Sequence, residues 1–205
     1  MWHLAVAAFA AFALVGQTAL GITDDRSLIN LFSYFTIQSN ILILVASLVI
    51  AVSPERGGGV WAILRLAGLV GITVTGVVYA TVLAGIADFS GIEWWYDKIL
   101  HYAVPIGAML GFFFFVPRTR FARSDLVFIA WPIVWLAYTL VRGGTGNPSF
   151  AGPDNTKSAY PYDFLDVDKH GGGQVALNAV AVTFLMLGVA ALYVRLSNRS
   201  VSETV

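Results

Sequence analysis

The chain contains no cysteine. That excludes disulfides, thiolate metal sites and cysteine nucleophiles. Charge is scarce as well: Asp, Glu, Lys and Arg make up 12% of the residues, against roughly 25% in a soluble domain. The 12 basic and 12 acidic side chains cancel, so no basic face is offered to nucleic acid. Also missing are internal repeats and low-complexity tracts. Gly171, Gly172 and Gly173 have no lysine behind them, so they are not a phosphate-binding loop and read as a flexible lead-in to a helix. Asp163, Asp166, Asp168 and His170 offer oxygen and nitrogen ligands, but without the spacing of a calcium or zinc site. They read as a solvated loop, and no metal or cofactor is implied.

What is present is apolar. Hydrophobic residues make up 58% of 205 residues, with mean hydropathy +0.75. Six apolar segments recur, at about 2–21, 32–52, 62–86, 98–116, 125–142 and 173–195. Each is close to the roughly 20 residues that cross a bilayer as a helix, and each is bounded by polar or Gly/Pro-rich stretches. Together they use up the chain. The expectation is an all-α, polytopic membrane bundle of about six transmembrane helices forming one domain over 1–205. The first segment has no Lys or Arg ahead of it, so it reads as a retained span rather than a cleaved signal. Pro132 should kink the fifth span. The fourth is the least regular, because Asp97, Lys98 and His101 crowd its start. Arg65, near the start of the third, should snorkel to the headgroups.

Orientation follows from the basic residues flanking the spans. Arg56, Arg65, Arg118, Arg120, Arg123, Arg195 and Arg199 fall on the side of the termini. Arg26, Lys98, Arg142, Lys157 and Lys169 fall on the other, three of them on or beside the long 143–172 loop, which weighs less. Nine acidic residues, among them Asp88, Asp97, Asp154 and Asp163, join that second side. Both termini are therefore assigned to the cytoplasm. Trp94, Trp95 and Tyr96 read as an interfacial belt, and Tyr160-Pro161-Tyr162-Asp163-Phe164-Leu165 in the long loop suits the headgroup level.

Polar groups inside spans need a reason. The second span opens with Ser33-Tyr34-Phe35-Thr36-Ile37-Gln38-Ser39-Asn40. On one continuous helix Ser33, Thr36 and Asn40 share a face, and Thr36 lies about one turn inside the apolar run. In the fourth span Asp97 precedes His101 by four residues, so the pair can meet on a helix and the carboxylate can orient the imidazole. Pro105 deprives the His101 carbonyl of its usual partner. The second and fourth spans both start outside the cytoplasm, which puts Thr36 and His101 at similar depth in one leaflet. A hydroxyl, a histidine and a carboxylate at one depth are the parts of a nucleophile, base and orienting group. The bland alternative is hydrogen bonding between packed helices.

These residues resemble the androgen-induced-gene and androgen-dependent TFPI-regulating protein family, and more closely its bacterial six-span relatives. The resemblance rests on Phe35-Thr36 with Asn40, on His101 with Pro105, and on Trp135 followed by Tyr160-Pro161-Tyr162-Asp163-Phe164-Leu165. It implies a threonine hydrolase of fatty acyl esters in a bacterial cell membrane, with Thr36 as nucleophile and His101 as the histidine. The long acidic 143–172 loop and the Tyr-Asp-Phe after Pro161 depart from that family. Asn40 is open to two roles, oxyanion donor or helix–helix bond. Ser33 and Ser39 are rival nucleophiles, since the threonine methyl stiffens χ1. Membrane lipids and a fatty acyl ester are the implied partners, with the oligomeric state left open. The competing classes are a small transporter or channel lined by Thr36, Gln38, Asn40 and His101, and a non-catalytic membrane protein. Against a polar path, the cytoplasmic halves of the spans add only Thr73, Thr75 and Ser47.

Overall fold

In the computed structural model, residues 1–85, 89–115, 119–151 and 156–199 are described. Asp88, Arg118, Asp154 and the end of the fourth expected segment lie outside them. The fold is all-α: 82% of the structure is helical.

Helix α1 spans Trp2–Thr23. A short helix α2, Leu28–Ser33, follows, started by the Ser27 side chain accepting a hydrogen bond from the Asn30 amide. The backbone then turns extended at Tyr34 (φ −67°, ψ 131°), and α3 runs Phe35–Val52. Helix α4, Gly59–Val78, continues into a π-helical turn at Tyr79–Leu83. Helix α5, Gly91–Lys98, passes through a second π turn, Ile99–Ala103, into α6, Val104–Phe114. A 3₁₀ segment, Arg123–Ile129, leads into α7, Ala130–Gly146. Asn147 ends α7 in the left-handed conformation (φ 46°), a normal helix stop. The 143–172 loop holds a two-stranded antiparallel ribbon, β1 (Phe150–Ala151) with β2 (Lys157–Ser158), and a 3₁₀ turn, Asp163–Leu165. Helix α8 covers Val167–Arg199, with a break at Gly171 (φ 75°) where only glycine is comfortable.

Among the described residues, five helical stretches are long and apolar enough to cross a membrane: Trp2–Thr23, Phe35–Val52, Gly59–Leu83, Arg123–Gly146 and Val167–Asn198. The fourth expected segment, 98–116, lies in the α5–π–α6 stretch. That stretch is helical from Gly91 to Phe114, but Glu93, Asp97 and Lys98 make its first half polar. The exterior is apolar, with Phe9, Phe12, Val134 and Phe184 more than half exposed, whereas Thr36, Ser39, Asn40, Thr75 and Asp97 are buried. This is the reverse of a soluble protein and suits a bundle solvated by lipid.

Helix α4 is the central post, with 61% of its apolar window buried against 17–50% in the other four. It packs against α3, α6, α8 and the Arg123–Ile129 segment. Small residues permit the approach: a Cβ on Gly71 would sit 3.0 Å from the Trp131 ring, and one on Gly76 3.0 Å from Pro105. Close contact through small residues is how helices associate where lipid removes the hydrophobic drive.

Three expectations change. The second apolar run is two helices, because the chain is extended at Tyr34. Pro132 does not kink a helix interior; the preceding residues wind as 3₁₀ and the α-helix begins at Ala130, so Pro132 falls in the first turn, where a missing N–H is harmless. Arg65 does not snorkel. It is buried and donates to the Thr119 hydroxyl in the connection beyond α6.

Candidate functional site

The break at Tyr34 places Thr36 in the first turn of α3 rather than a turn inside a longer helix. Backbone N–H groups in that turn have no intrahelical acceptor, and the helix dipole favours negative charge there. The Tyr162 hydroxyl meets this end. It accepts the Thr36 amide at 3.1 Å and lies 3.2 Å from Thr36 Oγ1. Burial pushes the Tyr162 phenol pKa up, so it stays a neutral donor.

His101 comes from the π turn between α5 and α6. Val104 donates to the Ile99 carbonyl, one residue further back than in an α-helix. Pro105 has no N–H to give, so the Leu100 carbonyl is left without a helical partner. The Asn40 side-chain amide supplies one, at 3.2 Å, and also donates to the Thr36 carbonyl at 2.8 Å. Asn40 thus ties the base of the threonine turn to the histidine turn.

The imidazole sits between two partners. Its Nε2 is 3.2 Å from Thr36 Oγ1. Its Nδ1 is 2.9 Å from Asp97 Oδ1 and 3.0 Å from the Asp97 carbonyl. Both neighbours of Nδ1 are acceptors, so Nδ1 carries the hydrogen and Nε2 in the neutral ring accepts the Thr36 proton. The Tyr162 hydroxyl then donates to Thr36 Oγ1. The other Asp97 oxygen accepts from the Tyr79 hydroxyl and from Lys98 Nζ at 3.0 Å. Lys98 also donates to the Tyr79 hydroxyl at 2.7 Å. The Tyr79 ring stacks on the imidazole, with centroids 3.9 Å apart and planes at 17°. The ring is therefore fixed by a carboxylate at one edge and an aromatic plane on one face.

The other singled-out residues lie elsewhere. Asn40 has both amide hydrogens on backbone carbonyls, so it bridges helices and leaves no N–H for an oxyanion. Its role is testable: Asn40→Ala should cost about 1 kcal/mol of stability, the scale of a buried hydrogen bond lost. Thermal melting reads this. Ser39 Oγ donates to the Thr36 carbonyl at 3.0 Å and lies 3.0 Å from the Thr75 hydroxyl, facing α4. Ser33, on the far side of the Tyr34 break, does not share the Thr36 face. Its hydroxyl donates to the Ile29 carbonyl at 2.6 Å. Gln38 is held by Trp131, whose indole donates to Oε1 at 3.1 Å.

Two residues that the sequence left unassigned join the site. In the sequence Tyr162 reads as a headgroup-level loop aromatic and as part of the stretch that carries the resemblance, with no role at the site. Tyr79 was hidden near the end of an apolar run, with its single polar atom as the signal.

Thr36 and Tyr162 form a polar edge of a narrow cavity of about 80 Å³ between α3, α4, α7 and α8. Phe35, Trp135, Leu136, Val182 and Met186 supply much of its apolar wall. Its base is held by the loop. Asp163, next to Tyr162, bonds Lys169 at 2.5 Å and His170 at 3.0 Å at the start of α8, and the Lys169 ammonium holds the Asp163 carboxyl below its usual range. Among the described residues, no three His, Asp or Glu side chains gather as metal ligands would.

The site therefore contains a hydroxyl, a histidine and a carboxylate in linear relay, with a helix N-terminus and a phenol beside the hydroxyl and an apolar cavity next to it. No family model matches the chain, and no curated protein or solved structure is detectably similar to it.

Proposed function

We propose that the chain is a multi-pass hydrolase of fatty acyl esters, a six-span relative of the androgen-induced-gene family. In this reading it resides in a bacterial cell membrane with both termini in the cytoplasm. The observation that carries the proposal is the Thr36 Oγ1–His101 Nε2 approach of 3.2 Å with Asp97 on the opposite edge of the ring. A separation near 3 Å is what proton transfer needs.

Thr36 Oγ1 attacks the ester carbonyl as its proton passes to His101 Nε2, and the imidazolium is stabilised by Asp97. The proton then goes to the departing alcohol. Water, deprotonated by the same nitrogen, cleaves the acyl-threonine and returns the hydroxyl. The oxyanion is met by the Tyr162 hydroxyl, which is neutral and already beside Oγ1, and by the positive end of the α3 dipole. The apolar lining of the cavity that Thr36 and Tyr162 border suits the first part of an acyl chain whose remainder lies along the lipid-facing surface. An ester carbonyl just below the headgroups would meet a nucleophile at the end of α3 that faces the 143–172 loop.

Tyr162→Phe should lower kcat by about 10²-fold with little change in KM, the loss expected for one oxyanion donor. Steady-state kinetics on a chromogenic acyl ester distinguish this from a packing defect, which would raise KM or lower Tm instead. The overall test is hydrolysis of a series of fatty acyl esters by the purified protein in lipid nanodiscs. Turnover that Thr36→Ala abolishes supports the reading. No turnover above buffer across the series, with solute flux in proteoliposomes that persists under an esterase inhibitor, would favour the transporter class.

A further inference from the structure

Outside the catalytic proposal, the end of α7 carries a cation, Arg142, with no carboxylate partner among the described residues. Arg142 donates to Ser33 Oγ at 3.0 Å and to Asn30 Oδ1 at 2.5 Å, and its guanidinium lies 5.6 Å from the centre of the Phe150 ring. Both acceptors are neutral. Among the described residues no carboxylate lies within ion-pair distance of it. Two acceptors leave three of the five guanidinium hydrogens without a described partner. The group is held in place by Asn30, whose amide nitrogen is itself anchored on the Ser149 carbonyl at 2.7 Å.

Hydroxyls converge on the same point. The Ser33 hydrogen goes to the Ile29 carbonyl, so the Tyr138 hydroxyl, 3.1 Å away, donates to Ser33 Oγ. Tyr138 and Ser33 also line a groove between α2 and α7, with Leu28, Ile29, Phe32 and Gln38. The groove opens outward. Ile29 is 67% exposed, and Phe32 and Tyr138 are each 43% exposed. A fixed cation that donates to the groove residue Ser33, with no described carboxylate partner, beside an outward apolar groove matches an amphiphile with an anionic head and an acyl tail. Arginine is suited to the head because its planar fork pairs with phosphate oxygens in bidentate fashion.

We propose that this groove binds an anionic phospholipid, with the phosphate on Arg142 and an acyl chain along Ile29 and Phe32. The proposal does not depend on Thr36 or His101 being catalytic. It gives the 143–172 loop a second purpose: Ser149 and Phe150 brace the Asn30–Arg142 pair that would hold the lipid head.

The experiment is thermal melting of the full chain in neutral detergent micelles, with added phosphatidylglycerol, diacylglycerol or glycerol phosphate. Phosphatidylglycerol should raise Tm by several degrees by mass action on the folded state, and the other two should not. Arg142→Gln should remove the shift. Ile29→Trp fills the groove at an exposed position and should also remove it while leaving the lipid-free Tm unchanged, so it decides the matter if Arg142→Gln fails to fold. Thr36→Ala should keep the full shift, which separates this site from the proposed catalytic one. A shift that survives in Ile29→Trp, a shift of equal size from glycerol phosphate alone, or no shift in the parent chain would overturn the proposal.

Discussion

Thr36→Ala should reduce acyl-ester turnover to background, a loss of at least about 10³-fold in kcat, with the fold intact. His101→Gln should cost about 10²- to 10⁴-fold, the range for removing a general base. The double variant should be no slower than Thr36→Ala, because groups acting as one unit are non-additive. The physical reason is the shared proton. Without Nε2 at 3.2 Å, Oγ1 has no acceptor for the hydrogen it must lose on attack. Without Oγ1, the histidine can activate only water, and water is not held where the threonine oxygen sits. The two single variants and the double, measured on one ester with circular dichroism as a fold control, check this. Additive losses would mean that the two residues act separately.

Asp97→Asn should be nearly as damaging although it alters neither reacting atom. Asparagine can keep its oxygen toward Tyr79 and Lys98, which both donate. Its NH₂ would then face His101 Nδ1. That NH₂ competes with the backbone carbonyl of residue 97, 3.0 Å from Nδ1, and favours the tautomer with its proton on Nε2, which no longer accepts from Thr36. The same tautomer reversal in a serine triad costs about 10⁴ in kcat. A kcat loss of about 10³-fold or more, with KM within a few-fold of the parent, is the expected result. The substitution also leaves Lys98 without its carboxylate, so Tm should fall. Tyr79→Phe provides the comparison, because it removes a hydrogen bond to the same carboxylate but leaves His101 facing an intact Asp97. It should retain most of the activity. Equal losses in both variants would point to packing of the network rather than to the tautomer.

The apolar runs and their polar borders are readable in the sequence because bilayer length and hydropathy are strong, local constraints. The Asp97–His101 pair is readable for the same reason, since four-residue spacing on a helix brings side chains together whatever surrounds them. The shared depth of Thr36 and His101 follows from counting spans. The start of α3 is harder. Tyr34 carries no capping side chain, and the run from Phe32 to Val52 looks uninterrupted, so Thr36 reads as mid-helix. Only the structure moves it to an N-terminus, where its amide and the dipole become useful. Ser33 leaves the Thr36 face for the same reason. Pro105 announces a disturbed helix, but whether it yields a kink or a π turn depends on Asn40 arriving from another helix to take the Leu100 carbonyl. Tyr162 is 126 residues from Thr36. Its aromatic neighbours suit a membrane interface equally well, so nothing local distinguishes it from Tyr160.

The most direct test of the account is to find which atom becomes covalently modified. The purified protein is treated with a fluorophosphonate probe, digested, and mapped by mass spectrometry. One adduct is expected, on the Thr36 hydroxyl, lost in Thr36→Ala and strongly slowed in His101→Gln. An adduct on Ser33 or Ser39, or labelling at Thr36 that proceeds as fast without the imidazole, would contradict it.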